Sequence, residues 1–243
     1  MFRIVFTTLL ILLALNSHAQ QFVVIESSAK NITVGAILDP QFNLELRNQE
    51  KLTLIAQTGE AHVVTGPYRG ALGSLKSQLA ESVNVRLVLG RILSERSDNV
   101  RTLGTVRRLV ASTDWFLTQN NQAWNLISAE HDGIQCVVPG GPLQLVRKRS
   151  PLAEQAQLRA SDGFYQPVQW DSDQSHAPWP VNVPVEEGRV YLLRRNVGSI
   201  PYRIQFRVLD ADLGQASPAF QMATLISRNC LLQAKWIQNA AGL

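Results

Sequence analysis

Several short patterns in this chain of 243 residues carry residue types that do chemistry. Ser27-Ser28-Ala29-Lys30 has the S-x-x-K spacing, in which a lysine amine takes the proton of a serine hydroxyl one helical turn away as its oxygen attacks an acyl group. Ser97-Asp98-Asn99 follows in the order used by serine acyl-transfer sites, but no K-T-G comes after it. The pattern also needs a helix opening at Ser27, whereas the apolar run Phe22-Val23-Val24-Ile25 makes Ser27 the end of a strand. A turn at Ser27 to Lys30 is the better reading. His131-Asp132-Gly133 sets an imidazole beside a carboxylate, yet neighbours in a turn point apart. Glu186-Glu187-Gly188 is likewise a turn, since glycoside chemistry needs two carboxyls facing a sugar from opposite sides. His62, His131 and His176 have no H-x-x-x-H or H-E-x-x-H spacing for a metal. Gly140-Gly141-Pro142 lacks the Lys-Ser/Thr and the helix start of a phosphate loop. The sequence therefore argues against an enzyme and calls for no cofactor and no metal.

What remains is binding and cross-linking chemistry. Cys136 and Cys230 are the only cysteines, and they are too far apart for a C-x-x-C redox site. In an oxidising compartment an even pair reads as one disulfide. Cys136 lies in the apolar run Ile134 to Val138, and Cys230 shares a helical spacing with Ala223 and Ile226, so both thiols should face inward. Arg86, Arg91, Arg96 and Arg101 recur every five residues. At about 100° per residue, steps of five rotate each some 140° from the last, so they form no single stripe. They are candidate contacts for a partner, against the plainer reading of a solvated helix surface. Trp170 and Trp179, with Tyr165 and His176 nearby, are candidates for an aromatic platform, against core packing beneath a loop held extended by Pro178, Pro180 and Pro184.

The elements that position these residues begin after an export signal. Arg3, the apolar run Ile4 to Leu15 and the small residues Ser17 and Ala19 fit a cleavable secretory leader over residues 1–19, with cleavage before Gln20. The run is too short to span a membrane, which takes roughly 20 apolar residues, and no later run reaches that length without charges. The expected location is periplasmic or secreted, with no transmembrane segment. Removing Arg3 with the leader lowers the formal charge from +4 to +3, too mild a balance for a nucleic-acid partner.

From Gln21 to Gly70, short alternating runs are broken at Gly35, Asp39-Pro40, Asn48-Gln49 and Thr58-Gly59-Glu60, which predicts five or six strands. Val34-Gly35, Ile37-Leu38, Leu44 and Leu46, Leu52-Thr53-Leu54, Thr58-Gly59-Glu60 and Val64-Thr65-Gly66-Pro67-Tyr68-Arg69-Gly70 resemble the FecR-type periplasmic β domain. That resemblance covers about a fifth of the chain and implies a periplasmic interaction module. Leu75, Leu79, Val83 and Leu87 then step by four, predicting a helix from about Ser74 to Arg96, although Val83, Val85, Leu87 and Leu89 alternate as a strand would. Ser97 to Thr105 reads as a linker. Beyond Ser112, short runs such as Ile134 to Val138, Gln155 to Arg159, Arg189 to Arg194 and Tyr202 to Leu209 predict an immunoglobulin-like sandwich. Ser217-Pro218 opens a terminal helix carrying Phe220, Ala223, Ile226, Cys230 and Ala234.

The sequence thus predicts a mainly β protein: a leader over 1–19, a FecR-like β module over 20–70, a helical connector over 71–110, and a β-sandwich with a C-terminal helix over 111–243. The break at Ser97 to Thr105 predicts separable halves. The leading function is an exported binding or accessory protein acting on a periplasmic protein partner or the cell envelope. The competing readings are a secreted, penicillin-recognising type of serine acyl-enzyme using Ser27 and Lys30, and a glycan or peptidoglycan module using Trp170 and Trp179.

Overall fold

A computed structural model describes residues 20–77, 81–102, 123–160, 162–163, 165–196 and 198–243. The expected leader over residues 1–19 lies outside them. The first β unit holds β1 (Phe22–Ser27), β2 (Ile37–Leu38), β3 (Asn43–Leu46), β4 (Lys51–Ala56), β5 (Ala61–Thr65), β6 (Tyr68–Ala71) and β7 (Glu81–Val83). Five of them form an antiparallel sheet in the order β2-β1-β4-β5-β7, and β3 pairs with β6 in a small second sheet. The run Phe22-Val23-Val24-Ile25 is apolar without alternation because β1 is buried on both faces. Phe22 and Val24 join Leu44, Leu46, Leu54 and Leu72 in the core between the two sheets. Val23 and Ile25 point the other way, with Ile55, toward helices.

The second β unit follows the same logic. Its strands are β8 (Leu126–Ser128), β9 (Gly133–Val137), β10 (Gln144–Val146), β11 (Glu154–Ala160), β12 (Tyr165–Trp170), β13 (His176–Pro178), β14 (Val190–Arg194) and β15 (Tyr202–Val208). They make two sheets, β13-β10-β8 and β12-β11-β14-β15-β9, with β8 parallel to β10 and β9 parallel to β15. Leu145, Leu158, Trp170, Tyr191, Leu193 and Phe206 fill the space between them. Trp179 meets Tyr191 and Phe206 edge-on, with centroids 5.3 and 5.1 Å apart, a favourable geometry for aromatic quadrupoles. The sandwich expected after residue 111 is therefore present, and the protein is mainly β.

Three helices occupy the layer between the two β units: α1 (Val85–Thr102), α2 (Pro218–Ser227) and α3 (Leu231–Ala241). One continuous core unites Val23, Ile25 and Ile55 of the first unit, Val88, Leu89, Ile92 and Leu93 of α1, Phe220, Met222 and Trp236 of α2 and α3, and Leu126, Cys136, Val138 and Val146 of the second unit. This corrects the expectation of separable halves, because the terminal helices cover the first unit's sheet as well as the sandwich. Helix α2 is buried nearly all round, as a helix between two layers must be. It fits against the first unit because two glycine turns let it approach. Gly59 (φ 99°) and Gly35 (φ 92°) both adopt left-handed backbone, and a Cβ there would lie 2.9 Å from Ser217 Oγ and 3.3 Å from Ser227 Cβ respectively. Ser217 N–H also donates to Gln57 O at 3.0 Å.

The helix boundaries depart from the sequence reading in two places. Helix α1 starts at Val85, not Ser74, because the Asn84 side chain accepts from the backbone N–H groups of Arg86 and Leu87 as an N-cap. Leu75 belongs to the first unit's core and Leu87 is exposed, so the four-residue stripe does not exist. Ser97 and Asp98 continue the helix rather than open a linker, and residues 103–110 lie outside the described residues. The expected terminal helix is two helices. Asn229 turns left-handed (φ 63°), its N–H donates to Ile226 O, and the Cys230 N–H reaches back to Leu225 O at 2.9 Å. This pair of bonds is a Schellman closure, with asparagine in the usual glycine position.

Candidate functional site

The two cysteines are joined: Cys136 on β9 and Cys230 at the start of α3 form a disulfide with 5.7 Å between Cα atoms. One turn further along α3, the buried Gln233 accepts from Cys136 N–H at 2.6 Å. Its amide donates to Cys136 O at 2.7 Å, Ala123 O at 3.0 Å and Leu126 O at 3.2 Å. The side chain thus stands where another strand's backbone would pair with the free edge of β9. On β9 itself, Gln135 accepts from Ser128 N–H and donates to Ser128 O. Two glutamines therefore tie α3 to β9 and β9 to β8. Sequence reasoning missed both, since glutamine at a strand or helix position reads as surface.

The candidate binding residues fare differently. Trp170 is fully buried, its Nε1 donating to Leu145 O, and Trp179 is 7% exposed with its Nε1 donating to Val183 O. Neither offers a face to a sugar, so the platform reading is corrected to core packing. Arg91 pairs with Glu26 at 2.8 Å and with Glu95. Arg96 donates to Ile226 O at 2.6 Å, clamping the C-terminal end of α2. These two arginines brace α1 and are not a free cationic surface. Arg86 is exposed, and the side chain of Arg101 lies outside the described residues. Ser27 Oγ bonds the backbone N–H and O of Ala29, closing a local turn, and Lys30 is exposed.

Two further polar groupings invite a chemical reading. Ser128 Oγ lies 2.8 Å from His131 Nδ1, but Ser128 is 1% exposed, which leaves no approach for an acyl group. Burial lowers the His131 pKa, opposed by Glu130 and Asp132. Asp132 is turned away to accept from Arg203 N–H. The second grouping runs Glu130–Arg195–Glu154–Arg147. Arg195 donates twice to Glu154, at 2.7 and 2.6 Å, and once to Glu130 at 2.6 Å, while the buried Arg147 reaches Glu154 at 2.8 Å and lies 5.6 Å from the Trp170 ring. Hydrogen bonds from Arg195, against the opposing burial, and then those from Arg147 hold Glu154 below the usual carboxylate range. A carboxylate so fully engaged is a clamp rather than an acid or base. Among the described residues, no cluster of three or more His, Cys, Asp or Glu side chains could hold a metal ion, and no helix is long and apolar enough to cross a membrane.

The open face of β12-β11-β14-β15 has a different character. Strand alternation sends Ala156, Leu158 and Ala160 inward and Gln155, Gln157 and Arg159 outward. Register then aligns the outward side chains into rows across the sheet. Tyr165, Arg159, Leu192 and Arg203 form one, and Pro167, Gln157 and Arg194 the next. Between them lies a cleft of about 340 Å³ lined by Gln157, Arg159, Tyr165, Leu192, Arg194 and Pro201. A neighbouring hollow of about 200 Å³ shares Gln157 and Arg194 and extends toward Gln155 and Asn196. Tyr165 and Leu192 are 50% and 39% exposed. Among the described residues, no carboxylate lies within ion-pairing distance of Arg159 or Arg194, in contrast to Arg147, Arg189, Arg195 and Arg207 of the same unit. The alternation was legible in the sequence. The register that groups these residues was not.

No family model matches the chain, and comparison with curated proteins and with solved structures gives no match either.

Proposed function

We propose that the chain is exported, loses residues 1–19, and acts in an oxidising compartment as a binding protein whose contact surface is the outward face of β12-β11-β14-β15. The observation that carries this reading is the cleft in which Arg159 and Arg194 stand without carboxylate partners among the described residues, beside exposed Tyr165 and Leu192. Arginine and tyrosine are the side chains that most often anchor interfaces. The disulfide supports the compartment. In the first unit, the L-x-L strands β3 and β4 and the Gly59 hairpin are the features on which the FecR-type resemblance rests, and with it a place at the cell envelope. The partner is a periplasmic or envelope protein.

A photo-crosslinking residue at Gln157, with a control at the exposed Lys30, tests the reading in the protein's own compartment. Gln157 should give discrete cross-linked species that Arg159→Glu with Arg194→Glu removes. Equal products from both positions, or products indifferent to the arginines, would overturn it. The mass of the mature protein should begin at Gln20.

A further inference from the structure

Resting on the reading of this face as a contact surface, we infer that its ligand is an extended peptide segment carrying two carboxylates at alternate positions. Arg159 pairs across the sheet with Leu192, and Arg194 lies two residues further along β14, so the two arginines are diagonal neighbours. Diagonal positions on a sheet are about 7–8 Å apart. Alternate side chains of an extended chain are about 6.6–6.8 Å apart and point the same way. Acidic residues separated by one position therefore match the two guanidinium groups, each of which suits a carboxylate in bidentate fashion.

The rest of the cleft fits a peptide as well. The Gln157 side chain lies beside both arginines and forms no hydrogen bond among the described residues, and its amide offers both a donor and an acceptor, as a peptide group requires. Tyr165 and Leu192 flank the cleft with exposed apolar surface for a side chain on the same face. A neutral sugar chain would call for a broad aromatic platform, whereas Trp170 and Trp179 are buried and, among the described residues, the cleft holds one aromatic ring, Tyr165. The face also excludes one mode of peptide capture: Pro167 lies on β12, the edge of the sheet, and has no N–H to donate to an added strand. The ligand lies across the face rather than alongside the edge.

The test uses full-length mature protein and synthetic peptides of about eight residues, measured by fluorescence anisotropy at low salt. One peptide has two glutamates separated by one residue, a second has the same glutamates adjacent, and a third has glutamine at both positions. The first should bind at least about tenfold more tightly than either of the others, as loss of charged hydrogen bonds implies. Arg159→Gln and Arg194→Gln should each lower its affinity by a similar factor, with unchanged melting temperature showing that the fold is intact. Equal binding of the spaced and adjacent peptides, or binding that survives both substitutions, overturns the inference. So does tighter, arginine-dependent binding of an oligouronate of equal charge, which would assign the face to an anionic glycan. If crosslinks at Gln157 persist while no acidic peptide binds, this inference fails and the contact-face reading stands. If the crosslinks fail too, both fall.

Discussion

Replacing Gln233 with leucine probes the junction on which the second β unit and the helical layer meet. The side chain is fully buried and forms four hydrogen bonds, two of them with the N–H and O of Cys136. Leucine preserves the volume but leaves Cys136 N–H and O unpaired on the edge of β9, with Ala123 O also losing its contact. A stranded buried donor or acceptor costs about 1–3 kcal/mol, so the three together should cost roughly 3–9 kcal/mol. That is a large share of the ~5–15 kcal/mol that stabilises a typical domain. At about 2–4 °C per kcal/mol for a chain of this size, the melting temperature should fall by roughly 6–36 °C. Calorimetry on oxidised protein, with thiol titration confirming that the disulfide is still formed, makes the measurement. Gln233→Glu gives a second handle. A buried carboxyl resists ionisation, and its protonated form regains a donor, so this variant's deficit relative to wild type should shrink on acidification. A leucine variant melting within about 2 °C of wild type would refute the account of Gln233 as a surrogate strand.

Three other outcomes follow from the same architecture. Reducing the disulfide, or Cys136→Ser, releases a loop constraint of about 4–5 kcal/mol in the chain-entropy description. Because the helices are shared, a spectroscopic probe on the first β unit should lose stability along with the sandwich; a first unit that melts unchanged contradicts the common core. A chain ending before Ser217 uncovers Val23, Ile25 and Ile55, so its circular-dichroism melt should lose cooperativity, and a sharp transition at the wild-type midpoint would show the first unit to be self-sufficient. Stability should also fall on acidification. Burial lowers the pKa of His131 and His176, so the unfolded chain takes up protons below about 6.5 while the folded one resists. Glu154, also lowered, adds a loss that begins near the ordinary value of 4.5 and continues as pH falls through its folded pKa. Melting curves against pH should show both steps, with Glu154→Gln diminishing the lower one, to which Glu187, also lowered, contributes as well. A flat profile from about pH 7 to about pH 5 counts against the histidine step, and one from about pH 5 to about pH 3 against the carboxylate step.

Most of the strands were legible because they alternate or, in β1, are apolar on both sides. The cysteines were readable as a pair from their number and compartment alone. The helix starts at Val85 and Leu231 were not, for a common reason. Apolar spacing at Leu75, Leu79, Val83 and Leu87, and again at Phe220, Ala223, Ile226, Cys230 and Ala234, continues across points where the backbone breaks. At the second of them Asn229 takes the left-handed position that glycine usually marks. The roles of Arg91, Arg96, Gln135 and Gln233 depend on partners distant in sequence, such as Arg96 with Ile226. Composition and spacing are silent about such pairings. The same holds for the rows on the outward face, which exist only once register brings Arg159 beside Tyr165 and Leu192.

The sharing of α2 and α3 has a temporal side. Val23, Ile25 and Ile55 are synthesised long before α2 and α3, which cover them. Loop closure between such distant segments is slow, and until it happens an apolar sheet face stays open to water and to other chains. The strands of the first unit can pair early, but they reach their final burial only when α2 and α3 are available. The closing step for this shared core is then the docking of α2 and α3, and the Cys136–Cys230 bond forms on the same later-made element, sealing an assembly whose earlier-made part has waited for it.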